Sequence, residues 1–412
     1  MRNQYKAFVA SAFALTLLLT ACAGGSAGQS GGASQANKMF AWVSNENDRA
    51  QWQTFVDAAK EQDPNFSLTF EGPTFNDYWT KVKTRMTQSD APCILTTQAA
   101  RAQELEGILT PLDDLIKAEG LDVSVYNKAM MDGMTLDGKI VALPYDAEPD
   151  VLYYNKKLFA EAGLKAPGTE YTTEQFLADA KALTTGDRHG VAIKPSLMDN
   201  APGTLAFSFG GVATKDGNLA ITEKPFVDGV QFSFDLVNVH KVALAPSSSD
   251  GDDIAQGAFT SGKAAMLFDG PWMYGTLAES LKDDLGVAVI PSPSGKTIGV
   301  IQGSGFGIAK SCTDKEGAFK NIMKLVSAKT IATVAKKQGT VPSIEAEMEA
   351  WAEGKPADNV EAVKTLLTNG APLVTNNAWN QVNTSFIQYS TEGYRGSKTA
   401  EEILKSISDS SK

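Results

Sequence analysis

At 412 residues, with 43% hydrophobic and 21% charged side chains, the chain has an ordinary soluble composition and is long enough for two domains. Its 37 basic and 48 acidic residues give −11, or −13 (35 against 48) once residues 1–21 with Arg2 and Lys6 are removed. That balance excludes a binder of phosphate backbones, which needs clustered Lys and Arg, so no nucleic-acid partner is expected. Three Cys and two His lie at scattered positions without metal-ligand spacing, which sets aside zinc and iron centres; no cofactor is expected, and only a dispersed carboxylate-oxygen site stays open.

Residues 1–21 read as an export signal. Arg2 and Lys6 form a positive start, and Phe8 to Leu19 is an apolar run of 12 residues, too short to cross a hydrocarbon core of ~30 Å as a helix. Leu19-Thr20-Ala21-Cys22 matches the bacterial lipobox, which implies cleavage before Cys22, acylation of its thiol and anchoring to the outer face of the cell membrane. Residues 22–36 follow as a flexible tether of Gly, Ala, Ser and Gln. Two GxSxG matches inside the tether lack the strand and helix that a nucleophile elbow needs.

Beyond the tether, strands and helices alternate. Met39 to Val43 reads as a buried strand, and Trp52, Phe55, Val56 and Ala59 mark one face of a helix. Ser67 to Glu71 is a strand; Trp79, Val82 and Met86 line a second helix; Cys93 to Leu95 is a strand again. A strand at Lys139 to Leu143 follows the Asp137-Gly138 turn, and Val151 to Tyr154 precedes a helix over Lys156 to Ala162 that Gly163 closes. Thr172 to Gln175 fits a capping box, Gly190 to Lys194 a strand, and Val227 to Leu244 a long helix. Strands at Ala264–Phe268, Gly286–Ile290 and Phe306–Ala309 precede a mostly helical C-terminal part with a capping box at Thr399 to Glu402. The alternation predicts α/β architecture with doubly wound parallel sheets, whose ligands sit beyond the carboxyl ends of the strands. The polar segments Ser44–Asn47, Thr96–Gln98, Tyr145–Glu148, Pro195–Asn200 and Gln302–Ser304 are therefore the candidate contacts.

Three ordered segments are specific. Val151-Leu152-Tyr153-Tyr154-Asn155-Lys156-Lys157-Leu158-Phe159 through Gly163-Leu164, Phe259-Thr260-Ser261-Gly262-Lys263-Ala264-Ala265-Met266 with Asp269-Gly270-Pro271-Trp272, and Gly303-Ser304-Gly305-Phe306-Gly307-Ile308 resemble family 1 extracellular solute-binding proteins, the maltodextrin-type components of ABC importers. The resemblance covers about residues 38–410 and implies a periplasmic-binding-protein-like type II fold: two doubly wound α/β lobes with a ligand cleft between them. It places lobe 1 at 37–145 and 297–340 and lobe 2 at 146–296 and 341–412, with the first crossing near Pro144 to Pro149. It also implies a monomer that is not an enzyme, a carbohydrate ligand, and permease subunits with their ATPase as partners. Pro92-Cys93 departs from the Pro-Asp common in the family. Cys93 and Cys312 fall in the same expected lobe and read as two buried free thiols, a disulfide being the alternative.

A neutral sugar needs planar polar groups for its rim and aromatic rings for its faces. Trp272 sits where the family stacks a Trp on sugar, and Trp379 where it often places another ring; each has a core alternative. Glu148 falls at the hydroxyl-accepting carboxylate, with Asp146 beside it. Asn45, Glu46, Gln98, Asp199, Asn200, Gln302 and Ser304 complete the candidate ligand contacts, while Trp42, Trp52 and Trp79 read as core. Two rival functions remain: an exported glycoside hydrolase, opposed by the expectation that Asp146 and Glu148 diverge on an extended segment, and the same scaffold carrying a polyamine. Anionic ligands lack basic partners near the candidate loops apart from Arg101.

Overall fold

The computed structural model describes residues 34–296 and 299–411. The export signal, Cys22 and nearly all of the tether lie outside the described residues. The tether's expected end does not: Gln35–Asn37 form a short 3-10 turn, Ala36 is buried, and the Gln35 carbonyl accepts from the Cys93 amide at 2.9 Å. The compact unit thus begins at Gln35, and the small Ala36 side chain next to it packs into the first core.

Among the described residues, sixteen strands build five sheets. In chain order they are β1 (Lys38–Phe40), β2 (Thr69–Glu71), β3 (Ile94–Gln98), β4 (Thr135–Leu136), β5 (Lys139–Ile140), β6 (Ala142–Pro144), β7 (Glu148–Pro149) and β8 (Val151–Asn155). There follow β9 (His189–Ala192), β10 (Thr214–Lys215), β11 (Asn218–Leu219), β12 (Ala264–Asp269), β13 (Leu285–Ala288), β14 (Val300–Gln302), β15 (Ser304–Ile308) and β16 (Ala371–Pro372). The first main sheet runs β2-β1-β3-β15-β6 and the second β13-β8-β12-β9. Both mix directions: β1 is parallel to β2 and β3, whereas β15 is antiparallel to β3 and β6, and β8 is antiparallel to β12 and β13. A small sheet β16-β14-β7 joins them, and two hairpins, β4-β5 and β10-β11, lie apart.

Each main sheet has its own apolar core. The first gathers Trp52, Phe55, Tyr145 and Phe306, whose rings meet at centroid distances of 4.9 to 6.2 Å; such pairs add about 0.5–1.5 kcal/mol beyond area burial. The second centres on Tyr153, Phe176, Phe268, Trp351 and Phe386. The chain crosses between them three times, and the crossings lie side by side: Tyr145 N donates to Ser304 O, Ala147 N to Val341 O, and Ser343 N to Tyr145 O. Gly303 sits where they crowd, since a Cβ there would meet the Asp146 carbonyl at 2.7 Å. Val300 packs with the second core and Ile344 with the first.

Several local expectations shift. The expected strand at 139–143 is a hairpin turning at Asp137 and Gly138, both at positive φ, followed by β6. The helix expected to Leu244 spans Lys224–Asn238. At Thr172 half of the capping box forms: its hydroxyl accepts from Gln175 N, but the Gln175 side chain donates to Asp179 instead. The box at Thr399 is complete.

Cys93 and Cys312 are bonded, with Cα atoms 4.9 Å apart, which replaces the free-thiol reading. Cys93 precedes β3 and Cys312 follows its antiparallel neighbour β15, so pairing of the strands brings the thiols together. The bridge spans 219 residues and ties the two halves of the first core. Its loss by reduction, or as Cys93→Ser with Cys312→Ser, is expected to lower unfolding free energy by about 2–5 kcal/mol. Denaturant titration with and without reductant checks this, and superimposed curves would contradict it.

Candidate functional site

A cavity of about 950 Å³, counting the solvent at its mouth, opens between the two main sheets. Its lining comes from strand ends and the turns that follow. After β1 the chain presents Trp42, Ser44, Asn45, Asn47 and Asp48; after β3, Gln98; after β6, Tyr145, Asp146 and Glu148; after β12, Asp269 and Trp272; and β14–β15 supply Gln302 to Ser304.

The β1 turn is organised by a helix cap. Asn45 is extended at φ −156, and its side chain accepts from Asp48 N at 3.0 Å, while Asp48 Oδ2 accepts from Ser44 N at 2.7 Å. Such a cap stabilises the Glu46–Gln62 helix by about 1 kcal/mol. Asn45 therefore reaches the cavity with its oxygen engaged. Burial pushes the Asp48 carboxyl up despite the Ser44 contacts.

Along the crossings lie the most deeply buried carboxylates. Asp146 Oδ1 accepts from Ser304 N, and Glu148 Oε1 accepts from Val341 N at 3.0 Å. Glu148 Oε2 is buried without a partner. Desolvation raises both groups well above the usual carboxylate range, and the Asp146 charge adds to the rise at Glu148. The expectation that these two side chains diverge is corrected: both line the cavity, because residues two apart on an extended chain share a face. Behind them Gln302 Nε2 donates to Asp150 Oδ1 and to the Met198 carbonyl, both at 2.9 Å. Gln302 thus holds the floor together with an amide nitrogen already committed.

Trp272 is half-buried at the cavity edge, its ring lying over Gly270, where a Cβ would come within 2.0 Å of it. Asp269 Oδ1 accepts from Gly270 N at 2.8 Å and Oδ2 from Gln256 Nε2 at 2.9 Å. Burial and the nearby Asp199 charge push Asp269 up to about 7, with Lys194 opposing. Asp199 itself accepts from Ser196 Oγ and Asn200 Nδ2.

Of the expected contacts, the structure brings Asn45, Gln98, Asp146, Glu148, Asp199, Asn200, Trp272, Gln302 and Ser304 to one cavity. Two are elsewhere. Glu46 points to solvent at 92% side-chain exposure and pairs with Arg49, because a residue opening a helix on its outer face cannot turn into the cleft. Trp379 is fully buried in the second core, where its Nε1 donates to Met198 Sδ at 2.7 Å, so it is a packing residue. Trp42, read as core, is mostly buried yet lines the cavity beside Phe75 at 5.4 Å. Arg101 is not available to a ligand: it is bidentate to Glu104 and stacks over Trp79 at 3.8 Å. Lys194, Gln256 and Asp269 were missed. Asp269 stood inside a quoted motif and preceded Trp272, a signal for it; nothing in the sequence marked Gln256.

The raised Asp269 has a measurable consequence. The folded state holds its proton up to about 7, the unfolded chain only to the ordinary 3.8, so this group's contribution to stability falls as pH rises between those values. Asp150 and Tyr153 feel the Asp269 charge in turn. Asp269→Asn should gain on the unaltered protein by up to about 1.4 kcal/mol per pH unit across that window and by nothing further above it. Urea unfolding at a series of pH values measures the difference, and a pH-independent one would contradict the assignment.

Comparison with known proteins supplies the family. The sequence profile described as bacterial extracellular solute-binding protein matches residues 44–332. The maltodextrin-binding protein MdxE of Bacillus subtilis is 26% identical over 54% of this chain and 60% of its own length, so the match spans less than two thirds of that relative. The diacetylchitobiose binding protein DasA of Streptomyces coelicolor is 24% identical over 82% of this chain and 80% of its own. Among solved structures, the substrate-binding protein Lmo0181 of Listeria monocytogenes, in complex with cycloalternan, superposes at a TM-score of 0.81 with 22% identity, covering 91% of this chain and 97% of that one. The fold is that of two-lobed periplasmic binding proteins, and the chain belongs to the bacterial extracellular solute-binding proteins.

Proposed function

We propose that this chain captures a carbohydrate, an oligosaccharide by the names of its relatives, and delivers it to an ABC importer. The observation that carries the reading is the pairing, in one cavity, of aromatic surfaces at Trp42, Phe75 and Trp272 with carboxylates and amides at Gln98, Asp146, Glu148 and Asn200. Rings cover the apolar faces of a sugar, and planar polar groups take its hydroxyls. Relatives named for maltodextrin, diacetylchitobiose and maltooligosaccharide support the same class. In this reading the protein works as a monomer without cofactor or catalysis, docks on permease subunits with their ATPase, and has no nucleic-acid partner. Acylated Cys22 holds it to the membrane; no helix among the described residues is long and apolar enough to cross one. A pneumococcal relative is named a solute-binding lipoprotein, which supports the anchor. A linear polyamine is the second reading, favoured by the carboxylates of the cleft.

Thermal unfolding against mono- and oligosaccharides, polyamines and glycerol phosphodiesters tests the ligand class. A solute at 100 times its dissociation constant adds about 2.7 kcal/mol to stability. A shift with one sugar series, lost in Trp272→Ala and unaccompanied by cleavage products, is expected. A shift with polyamines alone would overturn the carbohydrate reading.

A further inference from the structure

Carboxyl groups outnumber basic groups in the lining of the cleft. Five lining residues carry carboxyl groups: Asp48, Asp146, Glu148, Asp199 and Asp269. Lys194 is the one basic lining residue among the described residues. The Lys194 charge acts on Asp269, and uncharged donors also reach these carboxyls: the amides of Ser44, Ser304, Val341 and Gly270, and the side chains of Gln256, Ser196 and Asn200. Arg101, the nearest guanidinium in sequence to the Gln98 turn, is spent on Glu104 and Asn380. One acceptor is left open at the bottom of the cavity, Glu148 Oε2, on a side chain 2% exposed. A buried acceptor without a donor is costly, and a charged one more so.

A neutral solute would leave this excess of carboxyls in place. A protonated amine would offset it and could donate to Glu148 Oε2 in a charge-assisted hydrogen bond. The carboxyls are spread around the wall, and among the described residues no three of them converge as a metal site; that dispersal suits contacts along an extended organic molecule. The aromatic surfaces at Trp42, Phe75 and Trp272 accept a ring face carrying positive charge as readily as a neutral one.

We infer that the solute is a carbohydrate bearing at least one free amine, an amino sugar with its nitrogen protonated, held with the ammonium toward Glu148 and Asp146 and a ring face on Trp272. This rests on the carbohydrate reading and narrows it. It also sets a pH dependence. Asp146 and Tyr145 face Glu148, while Asp199 and Lys194 face Asp269. Burial raises Asp146, Glu148 and Asp269 above the usual carboxylate range, and an ammonium draws them to the ionised form. Binding therefore releases protons and strengthens as pH rises, until the amine itself deprotonates.

The test is titration calorimetry of the folded chain with matched probes: disaccharides of several linkages, each as free amine, N-acetylated amine and plain hydroxyl, with spermidine as a linear control. The expected result is binding of a free-amine sugar at least about tenfold tighter than its N-acetylated match. That advantage should shrink at high salt, and buffers of different ionisation heat should reveal proton release. Glu148→Gln should narrow the ratio between amine and N-acetyl forms; should that variant not fold, the salt and buffer series on the unaltered chain decide. An N-acetylated or hydroxyl sugar bound as tightly, without proton release, would overturn the amine and leave the carbohydrate reading standing. Spermidine bound while every sugar fails would overturn both.

Discussion

Three strands of chain pass between two cores, and carboxylates are buried at the place where they pass. Asp146, Glu148 and Asp150 are each at most 5% exposed, and isolating such groups from water costs several kcal/mol apiece unless donors or protons meet them. Here donors come from the other crossings, Ser304 N for Asp146, Val341 N for Glu148 and Gln302 Nε2 for Asp150, and Asp150 also accepts from Thr204 Oγ1 of the helix Ala201–Ser208. The contacts that hold the crossings together are thus the contacts that shape the cleft floor. A solute reaching Glu148 touches the seam joining the lobes, which gives binding a direct physical route to their relative position.

The lobes also meet away from that seam. Arg101 Nη2 donates to Asn380 at 2.7 Å and Gln103 Nε2 to Thr375 at 2.6 Å, joining the turn after β3 to the start of the last long helices. Arg101 is buried against Glu104 and the Trp79 ring, so it offers a preset donor rather than a searching one. This explains why the single Arg beside a candidate loop is a poor anion receptor: its charge is used within the protein.

Much of this was legible in the sequence for physical reasons. Period-3.6 apolar spacing at Trp52, Phe55, Val56 and Ala59 fixed the first helix, and polar residues directly after strands located the cleft, since open α/β sheets bind beyond strand ends. What stayed hidden depends on three-dimensional neighbours. Trp42 and Trp379 are alike in sequence as aromatic residues at element ends, yet one borders the cavity and the other lies beneath Met198. The bridge between Cys93 and Cys312 follows from the antiparallel register of β3 and β15, which no local pattern states. Gln256 entered through the packing of its helix on β12, again a tertiary fact. The divergence expected of Asp146 and Glu148 failed for a simpler reason, the two-residue repeat of extended chain.

An acidic cavity walled by aromatic rings and built on the seam between lobes is the centre of this account, and the solute carried from the cell is its most direct witness. The protein would be purified in its folded form from its own host, the retained solute released by denaturant, and its mass and composition determined. A carbohydrate containing a free amine is the predicted result. A solute without a sugar ring would contradict the account.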